Sequence, residues 1–286
     1  MVTRRQHYIW RKYLRAWATD EQIWCLREDK KFKTNIMNVG QERDFYAVKD
    51  ITNEEIEYIS AVTKKRHGGL LNEHNSKFVG LYKNVSALHD IEEASEEIIN
   101  LLIQFEEDLM STVEMDGIKY LDLLLAGNTT FFNEEEHRAK FCYFLMIQFV
   151  RTKRMSEKIR NTLRDPLANK SINVDNVWSV EKYIDAGHLA LSLFSDRKFK
   201  IYLLKNKTEI SFITGDQPLF NIQAIGIGDG IPTETEFYYP ISPSVALIIS
   251  KNIHSSEIDL DDVCRFNSFV KEISHEQIYA NKEEFL

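Results

Sequence analysis

The sequence predicts an α+β protein with a mainly helical body, a small N-terminal β-meander and a C-terminal antiparallel β-sheet. Only 11 glycines and 5 prolines occur among the 286 residues, which argues against a loop-rich all-β sandwich. Apolar residues recur at helical spacing through most of residues 51–195, and short segments rich in β-forming residues lie on both sides. Because no clear linker separates these parts, we expect residues 1–286 to form a single domain.

The N-terminal part, residues 1–50, is predicted to contain a basic helix followed by the meander. Aromatic and aliphatic residues recur at helical spacing within residues 3–18, and no acid precedes Asp20. This helix carries five cations, namely Arg4, Arg5, Arg11, Lys12 and Arg15. Three short segments follow at 22–26, 32–36 and 45–48, and we expect them to pair as antiparallel strands.

Residues 51–195 are predicted to form the helical body, and residues 196–286 to form strands with a final helix. Asn53 precedes two glutamates, which favour the positive end of a helix. Further helices are predicted across residues 86–110, 137–158 and 174–195. The C-terminal third predicts a hairpin of 199–205 with 209–213, a loop at 215–234, strands at 236–239 and 245–250, a helix at 259–274 and a short end piece at 278–280.

Net charge and cysteine content exclude several classes of protein. A net charge of -8 argues against a general nucleic-acid coating protein, although it allows a local basic patch. Cys25, Cys142 and Cys264 form no CxxC pair, which argues against a disulfide framework and a structural zinc site. No apolar signal segment follows the cationic N-terminus, and the longest apolar run, 141–150, is too short to span a bilayer. We therefore expect a cytoplasmic protein with no membrane partner.

The helix predicted at 137–158 contains a cation that needs an explanation. Residues 141–150 are almost wholly apolar, so this helix is expected to be buried nearly all round. Gln148 and Arg151 lie three residues apart and hence on one face. A buried guanidinium requires an acidic side chain, a helix end or an anionic ligand. Arg151 could instead form a purely structural ion pair, or lie where the helix emerges into water.

Two further positions suggest a site. Asp216 follows the predicted strand at 209–213 in a Gly-Asp turn, and such turns often present a carboxylate at the edge of a site. The same residues are also common in turns, so this segment could be a turn with no functional role. His7 lies within the basic first helix and has the titration range of a general acid or base. A histidine beside aromatic residues is also a common structural residue, and the cations around it suit either phosphates or the acidic helices.

Six segments of the chain carry short motifs, namely Gln6-His7-Tyr8 with Tyr13-Leu14 and Trp17 (QHYxxxxYLxxF), 42–46 (ExDFY), 148–152 (QxxRT), 212–218 (FITSDNP), 239–243 (FPLSP) and Asn267 (LN). In this order, they resemble the bacterial and phage-associated family known as domain of unknown function 4238. The resemblance covers nearly the whole chain. Gly215 and Gln217 replace the more usual Ser and Asn, and Trp10-Arg11 replaces Pro with Gln or Arg.

The resemblance implies a site hypothesis, because its polar positions come from both ends and the middle of the chain. We expect His7, Asp216 and Arg151 to converge around one cavity. His7 is assigned as general acid or base, Asp216 as the residue that orients it or holds a divalent metal, and Arg151 as an anion-binding residue. The expected substrate-binding residues are Gln148, Gln6, Asn267 and Arg11.

Two functions from different classes fit this hypothesis. The first is a hydrolase of phosphodiester bonds in nucleic acid or nucleotides, acting as a toxin-like effector in phage defence with a partner protein of such a system. The role in phage defence is suggested only by what usually accompanies this family, and not by any residue of the sequence. The second is a non-catalytic module for ligand sensing or protein interaction, in which His7, Arg151 and Asp216 form a buried structural network.

Overall fold

The computed structural model describes residues 4–65, 69–167, 171–228, 230 and 232–286. It confirms the α+β class: a helical body lies between strands contributed by the two ends of the chain. No helix in these ranges has the length and apolar character needed to cross a membrane.

The predicted N-terminal helix at 3–18 is wrong over its first half, and Thr3 lies outside the described residues. The chain forms strand β1 (Arg5–His7), a short helix α1 (Arg11–Leu14) and a 3-10 turn (Arg15–Trp17). β1 pairs antiparallel with β4 (Gln41–Arg43), and the Ile9 amide donates to the Gly40 carbonyl at 3.1 Å. Backbone pairing with a segment about 35 residues away in the chain overrides the helical periodicity of the side chains.

The N-terminal meander is completed by strands from the C-terminal part. β2 (Gln22–Arg27) and β3 (Lys30–Asn35) form the predicted hairpin. β10 (Ile278–Ala280) pairs with β2, and β6 (Thr214–Gly215) pairs with β10, which gives the antiparallel order β3-β2-β10-β6. The predicted third strand at 45–48 is wrong: Tyr46 and Val48 donate their amides to Gln6 and to the Leu102 carbonyl instead of a strand.

The helical body contains α2 (Asn53–Lys65), α3 (Asn72–Ser86), α4 (Glu96–Leu125), α5 (Glu135–Val150), α6 (Lys153–Leu167) and α7 (Val174–Ser195). The helix predicted at 86–110 is observed only from Glu96, where the Ser95 hydroxyl accepts from the Ile98 amide as an N-cap. α5 is buried nearly all round, as its apolar run predicts, and packs along α7. Its side chains form the centre of the main core.

The helix predicted at 137–158 is interrupted at Arg151 and Thr152. The Arg151 amide still donates to the Ile147 carbonyl at 3.1 Å. The Thr152 hydroxyl then accepts from the Met155 amide at 3.4 Å and begins α6. No proline or glycine marks this break, so helical periodicity continues through it. The interruption places Arg151 at the end of the buried helix, facing the N-terminal strands.

The second sheet has the antiparallel order β5-β9-β8-β7 and packs against α8 (Leu260–Ile273). Its strands are β5 (Lys200–Lys205), β7 (Phe220–Asn221), β8 (Phe237–Ser242) and β9 (Val245–Ser250). The predicted hairpin of 199–205 with 209–213 is wrong, because β5 pairs with β9. The segment 209–213 instead contacts α8 and the Pro243 carbonyl, through the amides of Ile213 and Phe212.

Close packing of α4 on α5 predicts a position where even a methyl group is not tolerated. A Cβ at Gly117 of α4 would overlap the Phe144 ring of α5. We expect Gly117→Ala to destabilise the protein by about 1–3 kcal/mol, measured by urea unfolding. Gly80→Ala on α3 is the matched control, because a Cβ there meets no atom within 4 Å. The control should be neutral or stabilising by up to about 1 kcal/mol. Equal effects at the two positions would contradict this view of the interface.

Candidate functional site

Arg151 is buried, with its side chain only 1% exposed, and it joins three parts of the fold. Nη1 donates to the Glu114 carboxylate of α4 at 2.6 Å. Nε donates to the Tyr8 carbonyl at 3.0 Å and Nη2 to the His7 carbonyl at 3.2 Å. The buried cation therefore has the acidic partner that a guanidinium requires. That partner is Glu114 and not Asp216.

Asp216 is 1% exposed, and backbone donors occupy both of its carboxylate oxygens. The amides of His275, Glu276 and Gln277 donate to it at 2.7, 2.7 and 3.0 Å. Burial raises the pKa of Asp216, and these three hydrogen bonds oppose that rise. The carboxylate fixes the turn that leads into β10. No hydrogen bond or ion pair in the described ranges links it to His7 or Arg151, and Asp216 lines neither the cavity that contains His7 nor the one that contains Arg151.

The proposed metal at Asp216 does not fit this arrangement. Three N–H groups point at the carboxylate, and a cation at the same oxygens would meet their positive ends. The described part of the chain also contains no group of three or more His, Cys, Asp or Glu side chains placed to hold a metal ion.

The segments that carry the family resemblance do meet, but through other side chains. The Thr152 hydroxyl donates to the Gln217 side-chain oxygen, and Gln217 Nε2 donates to the Leu219 carbonyl at 2.7 Å. The Tyr13 hydroxyl lies 2.6 Å from Thr214 Oγ1 and donates to the Pro240 carbonyl at 2.6 Å. These buried contacts lock the N-terminal segment, the end of α5 and the C-terminal strands together.

Three of the four predicted substrate-binding residues are buried, and the side chains of Gln6 and Asn267 bind other parts of the fold. The Gln6 side chain donates to the Ile103 carbonyl at 2.8 Å and accepts from the Tyr46 amide at 2.6 Å. Asn267 accepts from the Ile213 amide and donates to the Ser211 carbonyl, at 3.0 and 2.9 Å. Gln148 is 3% exposed and lines none of the cavities described below. The oxygen and nitrogen of the Gln6 and Asn267 side-chain amides therefore already bond to other parts of the protein.

His7 and Arg11 do line a large cavity, of about 860 Å³, between the N-terminal segment and α4. We call it the His7 cavity. Its charged side chains are Arg4, Arg5, Arg11, Lys12 and Arg15 on one wall, and Glu107, Asp108 and Glu114 on the other. Arg4 and Arg15 form ion pairs with Asp44 and Glu21 at the surface. Among the described residues, Arg5 and Arg11 have no ion-pair partner, so both remain available to an anion.

His7 and Glu107, which both line this cavity, have shifted pKa values. Burial lowers the pKa of His7 to about 4, with further lowering from the charges of Arg11 and Arg151. Its Nε2 is buried and forms no hydrogen bond of normal geometry within the described residues. Burial raises the pKa of Glu107, and the Glu114 charge raises it further. His7 is therefore a neutral imidazole at pH 7, and Glu107 holds its proton more tightly than an ordinary glutamate.

Sequence reasoning did not identify Glu107 and Glu114 as site residues. They lie two helical turns apart on α4, and the spacing 107, 111, 114 places them on one face. This spacing could have grouped them. It could not have indicated that this face lies opposite β1, because that contact depends on the packing of α4.

A model of the family described as "Protein of unknown function (DUF4238)" matches residues 5–284. No curated protein matches the chain. No solved structure matches it either.

The environment of His7 predicts how stability depends on pH. The unfolded chain binds a proton near the ordinary pKa of 6.5, whereas folded His7 resists protonation down to about pH 4. The contribution of His7 is therefore fully present above pH 6.5 and is lost as the pH falls towards 4. In urea unfolding across this range, His7→Gln should flatten the decline in stability. His74→Gln, at an exposed position on α3, should keep the wild-type slope. If the decline of stability with falling pH were as steep in His7→Gln as in the wild type, the lowered pKa of His7 would be contradicted.

The contacts of Asp216 predict a structural role. Asp216→Ala leaves three backbone donors without their acceptor and should lower the free energy of unfolding by at least about 3 kcal/mol. Asp216→Asn keeps one acceptor oxygen and should lose less. Asp261→Ala, at an exposed position on α8, should change stability by less than about 0.5 kcal/mol. A folded Asp216→Ala protein of wild-type stability would contradict this role.

Proposed function

We propose that this chain, which belongs to the family of domain of unknown function 4238, hydrolyses phosphodiester bonds in nucleic acid or nucleotides in the His7 cavity. One observation carries the proposal: His7 and Glu107 line the same cavity as Arg5 and Arg11, which have no ion-pair partner in the described part of the chain. At neutral pH His7 is unprotonated, as a general base must be, and the raised pKa of Glu107 favours its protonated form relative to an ordinary glutamate.

The cations of the cavity suit a phosphate-bearing substrate. Arg5 and Arg11 are exposed at its wall, and a guanidinium can donate two parallel hydrogen bonds to phosphate oxygens. The volume of about 860 Å³ lies within the range of small-molecule sites and accommodates a nucleotide. The acidic chain can thus bind an anion locally despite its net charge of -8.

The two shifted groups supply the proton transfers. Neutral His7 accepts the proton of the attacking water, whose oxygen forms a new bond to phosphorus. The bond from phosphorus to the leaving oxygen breaks, and that oxygen takes the proton of the Glu107 carboxyl group. The proton on His7 returns to Glu107 through solvent, which restores both groups. Arg11 stabilises the charge that builds up on the phosphate oxygens.

Arg151 is a positioning residue in this scheme. Its guanidinium holds the His7 and Tyr8 carbonyls and the Glu114 carboxylate, so it fixes β1 against α4. His7 lies on β1 and Glu107 on α4, so the same contacts set the distance between the two proton-transfer groups.

Cleavage of labelled RNA and DNA oligonucleotides tests the proposal. His7→Gln and Glu107→Gln should each lower kcat by about 100-fold or more, because each removes a proton-transfer group. Arg11→Gln should both raise KM and lower kcat, since it removes a phosphate contact that strengthens as charge builds up on the phosphate oxygens. Arg265→Gln is the matched control: this exposed arginine lies on α8 and forms a surface ion pair with Asp262.

Thermal melts establish that each variant is folded before activities are compared. Wild-type cleavage that persists in His7→Gln and Glu107→Gln would rule out this assignment. If activity is present, expression of wild type but not His7→Gln should harm a bacterial host, as a toxin-like effector in phage defence would.

A second candidate function is a non-catalytic sensing or interaction module. It is favoured by the structural contacts of Gln6, Arg151, Asp216 and Asn267, all of which bind other parts of the protein. This candidate predicts saturable oligonucleotide binding that depends on Arg11, with no cleavage by the wild-type chain.

A further inference from the structure

We propose that a second cavity, separate from the His7 cavity, binds a small phosphate monoester. This cavity of about 420 Å³ lies between the β4 segment, α6 and α7, and we call it the Lys182 cavity. Its basic lining residues are Arg43, Lys49, Arg151, Lys153, Arg160 and Lys182, and its acidic ones are Glu42, Asp44, Glu157 and Asp175. The proposal does not depend on phosphodiester cleavage by His7.

Lys182 is the centre of the argument because its ammonium is buried and incompletely satisfied. The side chain is 9% exposed and forms an ion pair with Glu106, which is itself fully buried. Its Nζ lies 5.2 and 5.1 Å from the ring centroids of Tyr46 and Tyr183. An ammonium has three N–H donors, and Glu106 is the one hydrogen-bond acceptor for Lys182 among the described residues. A ligand oxygen in the cavity would satisfy a further donor.

Ser156 supplies a second unsatisfied polar group. It lies in the first turn of α6, is 6% exposed and lines the cavity. Its hydroxyl forms no hydrogen bond within the described part of the chain, although its amide donates to the Thr152 carbonyl. The first turn of a helix carries partial positive charge, so an anion beside Ser156 also meets a favourable helix end.

At the rim, most of the charges pair with one another. Lys153 pairs with Glu42 at 2.7 Å, Arg160 pairs with Asp175, and Glu157 pairs with His275 at 3.2 Å. Lys49 is half-buried and has no ion-pair partner in the ranges described. The acids of the rim are thus occupied, while Lys49, Lys182 and Ser156 present donors to the interior.

These donors select the class of ligand. Three separate donor groups suit a tetrahedral oxyanion, since a phosphate group has three terminal acceptor oxygens and a carboxylate has two. The cavity is larger than inorganic phosphate alone. Phe45 and Trp178 line it and provide apolar surface for an attached organic group. A small monoester with an aromatic or aliphatic group matches both features.

The test is calorimetric titration of the full chain with phenyl phosphate and with inorganic phosphate at constant ionic strength. We expect saturable binding at a site that depends on Lys49 and Ser156, with phenyl phosphate binding there more tightly than inorganic phosphate. Lys49→Gln and Ser156→Ala should each weaken phenyl phosphate binding about tenfold, because each removes a donor to a charged group. Both variants should remain folded, since neither side chain forms an ion pair or hydrogen bond with another residue of the described ranges.

Two control variants locate the ligand. Lys83→Gln removes an exposed charge on α3, and Arg11→Gln removes a cation of the His7 cavity; neither should change the affinity. Absence of saturable binding, or equal weakening by Lys83→Gln, would overturn the proposal. Binding that is lost in Arg11→Gln and retained in Lys49→Gln and Ser156→Ala would place the ligand in the His7 cavity and would also overturn it.

Discussion

The hydrogen bonds and ion pair of Arg151 are the interactions on which the arrangement of the site depends. A guanidinium at the end of a buried apolar helix must find acceptors, because an uncompensated charge there costs several kcal/mol, in the range of about 3–5. It finds a carboxylate on α4 and two carbonyls at the end of β1. These acceptors explain why the segment around His7 is extended: its carbonyls point at Arg151 and are not free to form a helix.

The same interactions separate two cavities of different character. Glu114 lines the His7 cavity and Arg151 lines the Lys182 cavity, so their ion pair forms part of the wall between them. Two adjacent residues of α4 likewise serve different cavities. Glu106 holds Lys182, whereas Glu107 faces His7. One helix thus supplies carboxylates to both cavities, because successive residues on a helix point in directions about 100° apart.

The segments that carry the family resemblance do contact one another in the fold. The side chains that make these contacts are not the ones predicted. Thr152 and Gln217 connect the third and fourth motifs, and Tyr13 and Thr214 connect the first and fourth. Asp216 faces the opposite way, towards the amides of residues 275–277. A Gly-Asp turn in a sequence does not indicate whether its carboxylate meets a cation or a set of backbone donors. Both satisfy a buried charge.

The sequence by itself determined the fold class, the positions of most helices, the buried character of α5 and the need of Arg151 for an acidic partner. These follow from local composition and periodicity. The tertiary structure alone decided that Glu114 is that partner, that β1 replaces the first half of the predicted helix, and that β10 completes the N-terminal sheet. Such choices depend on contacts between residues from about 30 to over 200 positions apart. Several acids and several strand edges satisfy the same local requirement, and only the packing of the whole chain selects among them.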